Sequence, residues 1–391
     1  MKILQISQKP PYPTVDGGCV AMADLAKLIV QSGHKISLFT LFCSKHPFEK
    51  KAFPANIYSE IFAHQVDSEP SIFGAFAALF KHKNYITDRF RSQSAEQNLE
   101  VLLKKEHFDM ILLESTFSGV FLDVSRKHSK AKIILRSHNI EHVLWKKRLS
   151  QSSMWQKWMV RGWVNNFEQL EKRLWKEVDA ILSISQDEAS EIRKHTPKQV
   201  EYFPASMTIN VNTEAIPSSF YFLGAMDWGP NREALDWFAR EVWPLFHARN
   251  PQVMFHLAGK GLLPSDYRTV DGWVNNGFVE STEDFLCDKG ILINPLRTGQ
   301  GIRIKALEAI ALGKAIISTK IGMDGLPFVA GEHFLLAETK EDFVRQMEYA
   351  LRHSNDLKEM AGKAQKAALQ HFSKEKLSQK LEGFFISITK P

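Results

Sequence analysis

Two cations and a carboxylate, Arg303, Lys305 and Glu308, follow directly on a loop that carries Gly299 and Gly301. Ile304, Leu307 and Ala311 are spaced for one buried helix face, with Lys305 and Glu308 together at its edge. An apolar run, Gly290 to Ile293, leads in as a buried strand. A strand, a glycine loop and a helix start make an anion site, because the free N–H groups and the positive helix end point at the ligand. Cations there suit phosphate, and a carboxylate suits the hydroxyls of a ribose. The same residues also fit a solvated helix start in an ordinary α/β protein, so the choice depends on the elements around them.

Those elements alternate in two passes. The first has strands over Lys2–Ser7, Lys35–Phe42, Asp109–Glu114, Lys132–Ser137 and Asp179–Ser185, with a helix over about Cys19–Ser32 stopped by Gly33-His34. The second has strands over Ser219–Leu223, Val253–Ala258, Gly290–Ile293 and Ala315–Ser318, helices over Asn231–Arg249 and about 342–353, and later helices to near the end. Apolar runs without alternation indicate parallel strands covered on both faces. Residues 205–218 are small, polar and proline-bearing, as in a linker. The expectation is α/β: two doubly wound parallel-sheet domains facing a cleft, with ligands at the carboxyl ends of the strands.

The bulk numbers agree. A chain of 391 residues is comfortable for two domains. The net charge of +6 favours anionic partners, yet no aromatic-interleaved basic motif of a nucleic-acid module is present. Cys19, Cys43 and Cys287 are scattered, with no metal-ligand spacing and no disulfide framework. No apolar run is long enough for a membrane span, and the first residues read as a strand rather than a signal peptide. These features predict a cytoplasmic protein.

A series of segments then carries a resemblance. Pro11-Tyr12-Pro13 and Asp16-Gly17-Gly18 follow the first strand. Phe108-Asp109-Met110-Ile111 leads to Glu114, and Arg136-Ser137-His138-Asn139-Ile140-Glu141 comes next. Gly224-Ala225-Met226-Asp227-Trp228-Gly229-Pro230-Asn231, the Leu257-Ala258-Gly259 strand end and the 295–313 segment complete the set. In order and spacing the chain resembles retaining nucleotide-sugar glycosyltransferases of the GT-B fold, within glycosyltransferase family 4.

The resemblance implies a division of labour. Residues 1–204 are the Rossmann-like acceptor-side domain, with a helix of about 373–391 packing back on it. Residues 205–372 are the donor domain. Glu308 binds the ribose hydroxyls, and the loop Gly299, Gln300, Gly301 and Ile302 lies along the diphosphate and sugar. Gly224, Asn231 and Gly259 also line the donor. His138 contacts the donor sugar near the reacting carbon. Asp16, Gly17, Gly18 and Asn139 lie on the acceptor side.

Two departures from the family pattern stand out. Gln300 occupies the slot of a carboxylate, so it can read hydroxyls but cannot stabilise developing positive charge. Ala225 and Pro230 occupy the slots of an arginine and a lysine that hold the diphosphate in many relatives. Arg303 and Lys305 are the nearest replacements, and one or both are expected to neutralise the leaving group. No Asp-x-Asp tripeptide is present. The resemblance implies transfer without a metal or other cofactor and with retention, the leaving phosphate taking the acceptor proton. The expected partners are a nucleotide sugar and a glycan or lipid-linked acceptor in surface polysaccharide biosynthesis. A catalytically impaired binding subunit and a sugar-nucleotide epimerase are the competing readings.

One further feature concerns the acceptor. The apolar stretch Ile72–Phe80 runs into Lys81-His82-Lys83, and Trp145, Trp155, Trp158, Trp163 and Trp175 stand among Lys146, Lys147, Arg148, Lys157 and Arg161. Tryptophan with lysine and arginine is the composition of a helix in a membrane interface. Two readings compete: docking on anionic lipid at the inner face of the membrane, or tryptophans packed into the first domain with solvated cations around them.

Overall fold

The computed structural model describes residues 1–66, 90–150, 154–209, 218–299 and 303–389; of residues 148, 150 and 154–160 only the backbone is described. The stretch 72–83 and the loop residues Gln300, Gly301 and Ile302 therefore lie outside the described residues. The chain divides into two compact units, Met1–Ser206 with Leu377–Pro391, and Met207–Lys376.

The first unit is built on seven parallel strands: β1 (Lys2–Ser7), β2 (Lys35–Phe42), β3 (Tyr58–Gln65), β4 (Met110–Glu114), β5 (Lys132–Ser137), β6 (Ala180–Ser183) and β7 (Gln199–Tyr202). Their order is β3-β2-β1-β4-β5-β6-β7. The strands are apolar because both sheet faces are covered. Leu4, Ile6, Ile111, Leu113, Ile133 and Leu135 pack on one face. Ile3, Met110, Leu112 and Ile134 pack on the other, against helix Gly17–Gln31 and helix Lys374–Thr389. The period of two then puts Gln5, Glu114 and Arg136 on this second face as well. All three are fully buried near the carboxyl ends of their strands.

The second unit repeats the plan with six parallel strands, β8 (Phe220–Leu223), β9 (Phe255–Ala258), β10 (Trp273–Asn275), β11 (Ile291–Asn294), β12 (Ala315–Ser318) and β13 (Leu335–Leu336). Their order is β10-β9-β8-β11-β12-β13. Phe220, Phe222, Phe255, Leu257, Ile291 and Ile293 face one layer of helices, while Tyr221, Leu292 and Ile316 face helix Ile304–Ala311 and helix Ser354–Phe372. In both sheets the order reverses beside the first strand, at β1/β4 and at β8/β11. Those are the points where doubly wound sheets leave a ligand crevice.

One helix differs from its expected form. The segment predicted as a single helix over Asn231–Arg249 is helix Gly229–Trp237, a π-helical turn Phe238–Val242 and helix Trp243–His247. Pro244 has no N–H to donate back into the preceding turn, and the Trp243 N–H reaches the Phe238 carbonyl instead.

Candidate functional site

In the second unit the donor candidates gather at the carboxyl end of β8. Gly224 follows the strand, and its N–H donates to the Ala258 carbonyl at the end of β9 (3.1 Å). Gly259 lies against it so closely that an added Cβ would stand 1.8 Å from the Gly224 carbonyl oxygen. Asn231, 3% exposed in the first turn of helix Gly229–Trp237, donates its Nδ2 to the Ala225 carbonyl (2.8 Å). Its Oδ1 accepts from Lys305 Nζ, which reaches across from helix Ile304–Ala311. A Cβ at Gly224 would meet that ammonium at 3.2 Å. Lys305 thus delivers its charge to the β8 turn, although the turn's own Ala225 and Pro230 carry none.

Arg303 is used differently. It is 3% exposed, its Nε donates to the Ile321 carbonyl (3.0 Å) and its Nη2 to the Gly299 carbonyl (3.1 Å). The guanidinium also lies over the Trp228 ring, 5.9 Å from its centroid. These contacts tie three loops together. The Lys305 ammonium sits 4.1 Å from the Phe222 ring centroid. Burial, with the neighbouring Arg303 cation, pushes its pKa well below the ordinary lysine value, while Glu308 acts in the opposite sense. Burial lifts Glu308 to about 7 against the opposing Lys305 charge. An anion arriving at this place would favour the charged form of Lys305 and raise its pKa again.

The first unit gathers a second group at the carboxyl ends of β1, β4 and β5. Asp16 caps helix Gly17–Gln31 by accepting from the Cys19 N–H (2.9 Å) and forms an ion pair with Lys9. Burial raises the Asp16 pKa, but the Lys9 charge and the hydrogen bonds outweigh it and bring the group to about 2. Gly17 and Gly18 are the first residues of that helix. His138, 8% exposed just past β5, is hydrogen-bonded through Nε2 to Glu114 Oε2 (2.7 Å). Asn139 donates to Glu141 Oε1 (3.3 Å), and the buried Glu171 accepts from the Glu141 N–H (3.1 Å). The start of helix Glu141–Ser150 is therefore fastened from behind.

Residues 217–353 match the family model described as glycosyl transferases group 1. The second unit carries a group 1 glycosyltransferase domain. The chain as a whole is 23% identical to an uncharacterized 44.6 kDa protein in the cps region of Klebsiella pneumoniae, over 96% of this chain and 97% of that one. Among solved structures it is similar to sucrose-phosphate synthase from Thermosynechococcus elongatus, with a TM-score of 0.71 at 14% identity and 99% of each chain covered. It is also similar to Anabaena HepE in complex with UDP and glucose, with a TM-score of 0.65 at 15% identity, covering 99% of this chain and 100% of that one. The fold is that of the GT-B glycosyltransferases.

Within the glycosyltransferase domain the structure brings Gly224, Asn231, Gly259 and Lys305 together, with Glu308 one helical turn beyond Lys305. Lys9 and Gln5 in the first unit were given no role from sequence, and Arg136 was read only as the first residue of the 136–141 segment. A lysine beside Asp16-Gly17-Gly18 was the one available signal for Lys9. Gln5 and Arg136 sit inside apolar strands and announce themselves only by register.

The lipid-docking reading needs a correction at Trp175, which is fully buried in the core of the first unit, and at Trp163. This side chain is 7% exposed and packs with Val164 and Phe167, and Trp145 is partly buried against the same group. Trp163 lies on the inner face of its helix, so it has no apolar surface to offer a bilayer. Lys146 is held by Glu168. The side chains of Trp155, Trp158, Lys157 and Arg148 lie outside the described residues.

The raised pKa of Glu308 sets a pH dependence in the glycosyltransferase domain. Below the ordinary value of 4.5 the carboxyl is protonated in folded and unfolded chains alike, so it costs nothing. Between that value and about 7 the unfolded chain releases the proton while the folded one keeps it, and stability falls as pH rises. Glu308→Gln is therefore expected to melt higher than the parent at about pH 8 and equally at about pH 4. Thermal melts at the two pH values check this. An equal melting difference at both would remove the assigned shift.

Proposed function

We propose that the protein transfers a sugar from a nucleotide-diphosphate sugar to a glycan or lipid-linked acceptor in surface polysaccharide assembly, with retention and without a metal. Residues 205–372 bind the donor, and residues 1–204 with the helix of about 373–391 serve the acceptor. The observation that carries the reading is Lys305, which presents its ammonium beside the glycine-lined end of β8 with Glu308 on the same helix. Glu308 takes the ribose hydroxyls and Lys305 the diphosphate. Gly224, Asn231, Gly259 and the loop Gly299, Gln300, Gly301 and Ile302 border the nucleotide and sugar. Arg303 holds Gly299, at the start of that loop, through its carbonyl. His138, Asp16, Gly17, Gly18 and Asn139 act on the acceptor and the sugar.

Several facts support this reading. Anabaena HepE, of similar fold, is described in complex with UDP and glucose. The Klebsiella relative belongs to a cps region, in keeping with a surface-polysaccharide product. Action at the inner face of the membrane suits a lipid-linked acceptor; among the described residues no helix is long and apolar enough to cross a membrane. In the reaction the bond from the anomeric carbon to the diphosphate oxygen breaks, the acceptor oxygen bonds to that carbon from the same side, and its proton passes to the departing phosphate. The residues then position the two substrates and stabilise the charge that leaves.

Thermal stabilisation across a panel of nucleotide sugars, with and without a chelator, tests the donor. Binding raises apparent stability by mass action, by about 2.7 kcal/mol at a hundredfold excess over Kd. One nucleotide sugar is expected to stand out and to keep its shift with chelator present. A shift abolished by chelator would overturn the metal-free mechanism, and no shift with any nucleotide sugar would overturn the donor assignment. The anomeric configuration of the first-formed product, read by NMR, decides retention.

A further inference from the structure

We propose that Glu114 is a positioning residue that locks His138 in the Nε2–H tautomer, so that Nδ1 presents a lone pair to a substrate hydroxyl. The inference rests on the transferase reading for the identity of the substrate, but the lock itself is a property of the unliganded protein. It follows from the direction of a chain of hydrogen bonds. Gln5 Nε2 lies 3.3 Å from the Met22 carbonyl oxygen, which can only accept. That fixes the amide orientation. The same nitrogen then donates to Glu114 Oε1 (2.6 Å), and Gln5 Oε1 accepts from the Tyr58 hydroxyl (2.7 Å).

Glu114 is fully buried. Burial raises its pKa, but the His138 hydrogen bond, the Arg136 charge and the Gln5 bond outweigh it and hold the group below the ordinary carboxylate value. Arg136 is fully buried too and is anchored by the Ala21 carbonyl (2.8 Å). An ionised carboxylate has no proton to give, so the proton in the bond to His138 belongs to Nε2 (2.7 Å). In a neutral imidazole this leaves Nδ1 as the acceptor.

The Nδ1 edge faces Gly18, with Lys9 and Asp16 beside it. A Cβ on Gly18 would stand 3.7 Å from His138 Nδ1, 3.4 Å from Lys9 Nζ and 3.3 Å from Asp16 Oδ1. A side chain there would crowd the ring edge and the Lys9–Asp16 pair. A substrate group reaching Nδ1 must donate a proton, which a sugar or acceptor hydroxyl does and a phosphate dianion does not. Lys9, beside the same ring edge, supplies the complementary donor for an oxygen of that substrate. A buried carboxylate behind a histidine is the arrangement that fixes ring orientation and tautomer at metal sites, and the same physics applies to a hydroxyl.

The test uses the intact protein with ring-15N histidine. Near neutral pH the wild-type spectrum is expected to show His138, assigned by its loss in His138→Asn, as the Nε2–H tautomer. In Glu114→Gln the new amide can donate to Nε2, and the resonances are expected to move toward the Nδ1–H form. Transfer is expected to fall by about 10–100-fold with folding and donor-induced stabilisation kept. Among deoxy analogues of the substrates, one should cost wild type heavily and cost His138→Asn little, which identifies the hydroxyl. An Nδ1–H or doubly protonated ring in the wild type overturns the proposal, whatever Glu114→Gln does. So does unchanged transfer in a folded Glu114→Gln whose tautomer has moved. Absence of turnover with every nucleotide sugar overturns the transferase reading, while the wild-type spectrum still decides the lock.

Discussion

Replacing Lys305 with alanine is expected to lower sugar transfer by about 10²–10³-fold, the range lost when one preorganised donor to a developing oxyanion is removed. The size follows from position. The Lys305 ammonium is partly buried, bonded to Asn231 Oδ1 and close to the Gly224 backbone, where the turn after β8 offers no cation of its own. Water screens such a charge poorly, so its interaction with a departing diphosphate is stronger than that of a surface lysine. Arg303 supplies the control. Its guanidinium already bonds the Gly299 and Ile321 carbonyls, so Arg303→Lys should loosen the loops and lower the melting temperature more than it slows the chemical step. Steady-state kinetics with melts of both variants separate the roles. Near-normal turnover in Lys305→Ala would sink the assignment.

Gly259→Ala is expected to destabilise the second unit by on the order of 4 kcal/mol, a size reached only through a few mechanisms, strain and overpacking among them. Both act here. Gly259 has φ +149, a conformation that side-chain-bearing residues rarely adopt, and its Cβ would stand 1.8 Å from the Gly224 carbonyl oxygen. Backbone must move, and it is the backbone of the turn that Lys305 and Asn231 frame. Donor-induced stabilisation should therefore vanish along with the lost stability. A denaturant melt gives the first quantity and a nucleotide-sugar titration the second. A variant with parental midpoint and parental donor response would show that the two turns separate without cost.

The long strands were legible because burial on both faces writes them as unbroken apolar runs: Lys2–Ser7, Lys35–Phe42 and Lys132–Ser137 have the bounds read from sequence. Asp16 was legible as part of the turn into the first helix, since a capping side chain sits immediately before the residues it serves. The edge strands β3, β7, β10 and β13 were not read. They are short or carry exposed residues, so no apolar run marks them. Pro244 was visible, yet its effect on the helix was not, because a π turn depends on packing around the break.

The chain by itself determined the two α/β passes, the parallel sheets and the kinds of residue at the strand ends, because periodicity and turn chemistry act over a few residues. Only the tertiary structure decided which residues meet. It separated Lys305, aimed at a turn more than seventy positions away, from Arg303, which is tied to its own loops. It also set Glu114 behind His138 and Gln5 behind Glu114. Hydrogen bonds of that kind join strands that are neighbours in the sheet but distant in the chain, and local spacing carries no record of such distances.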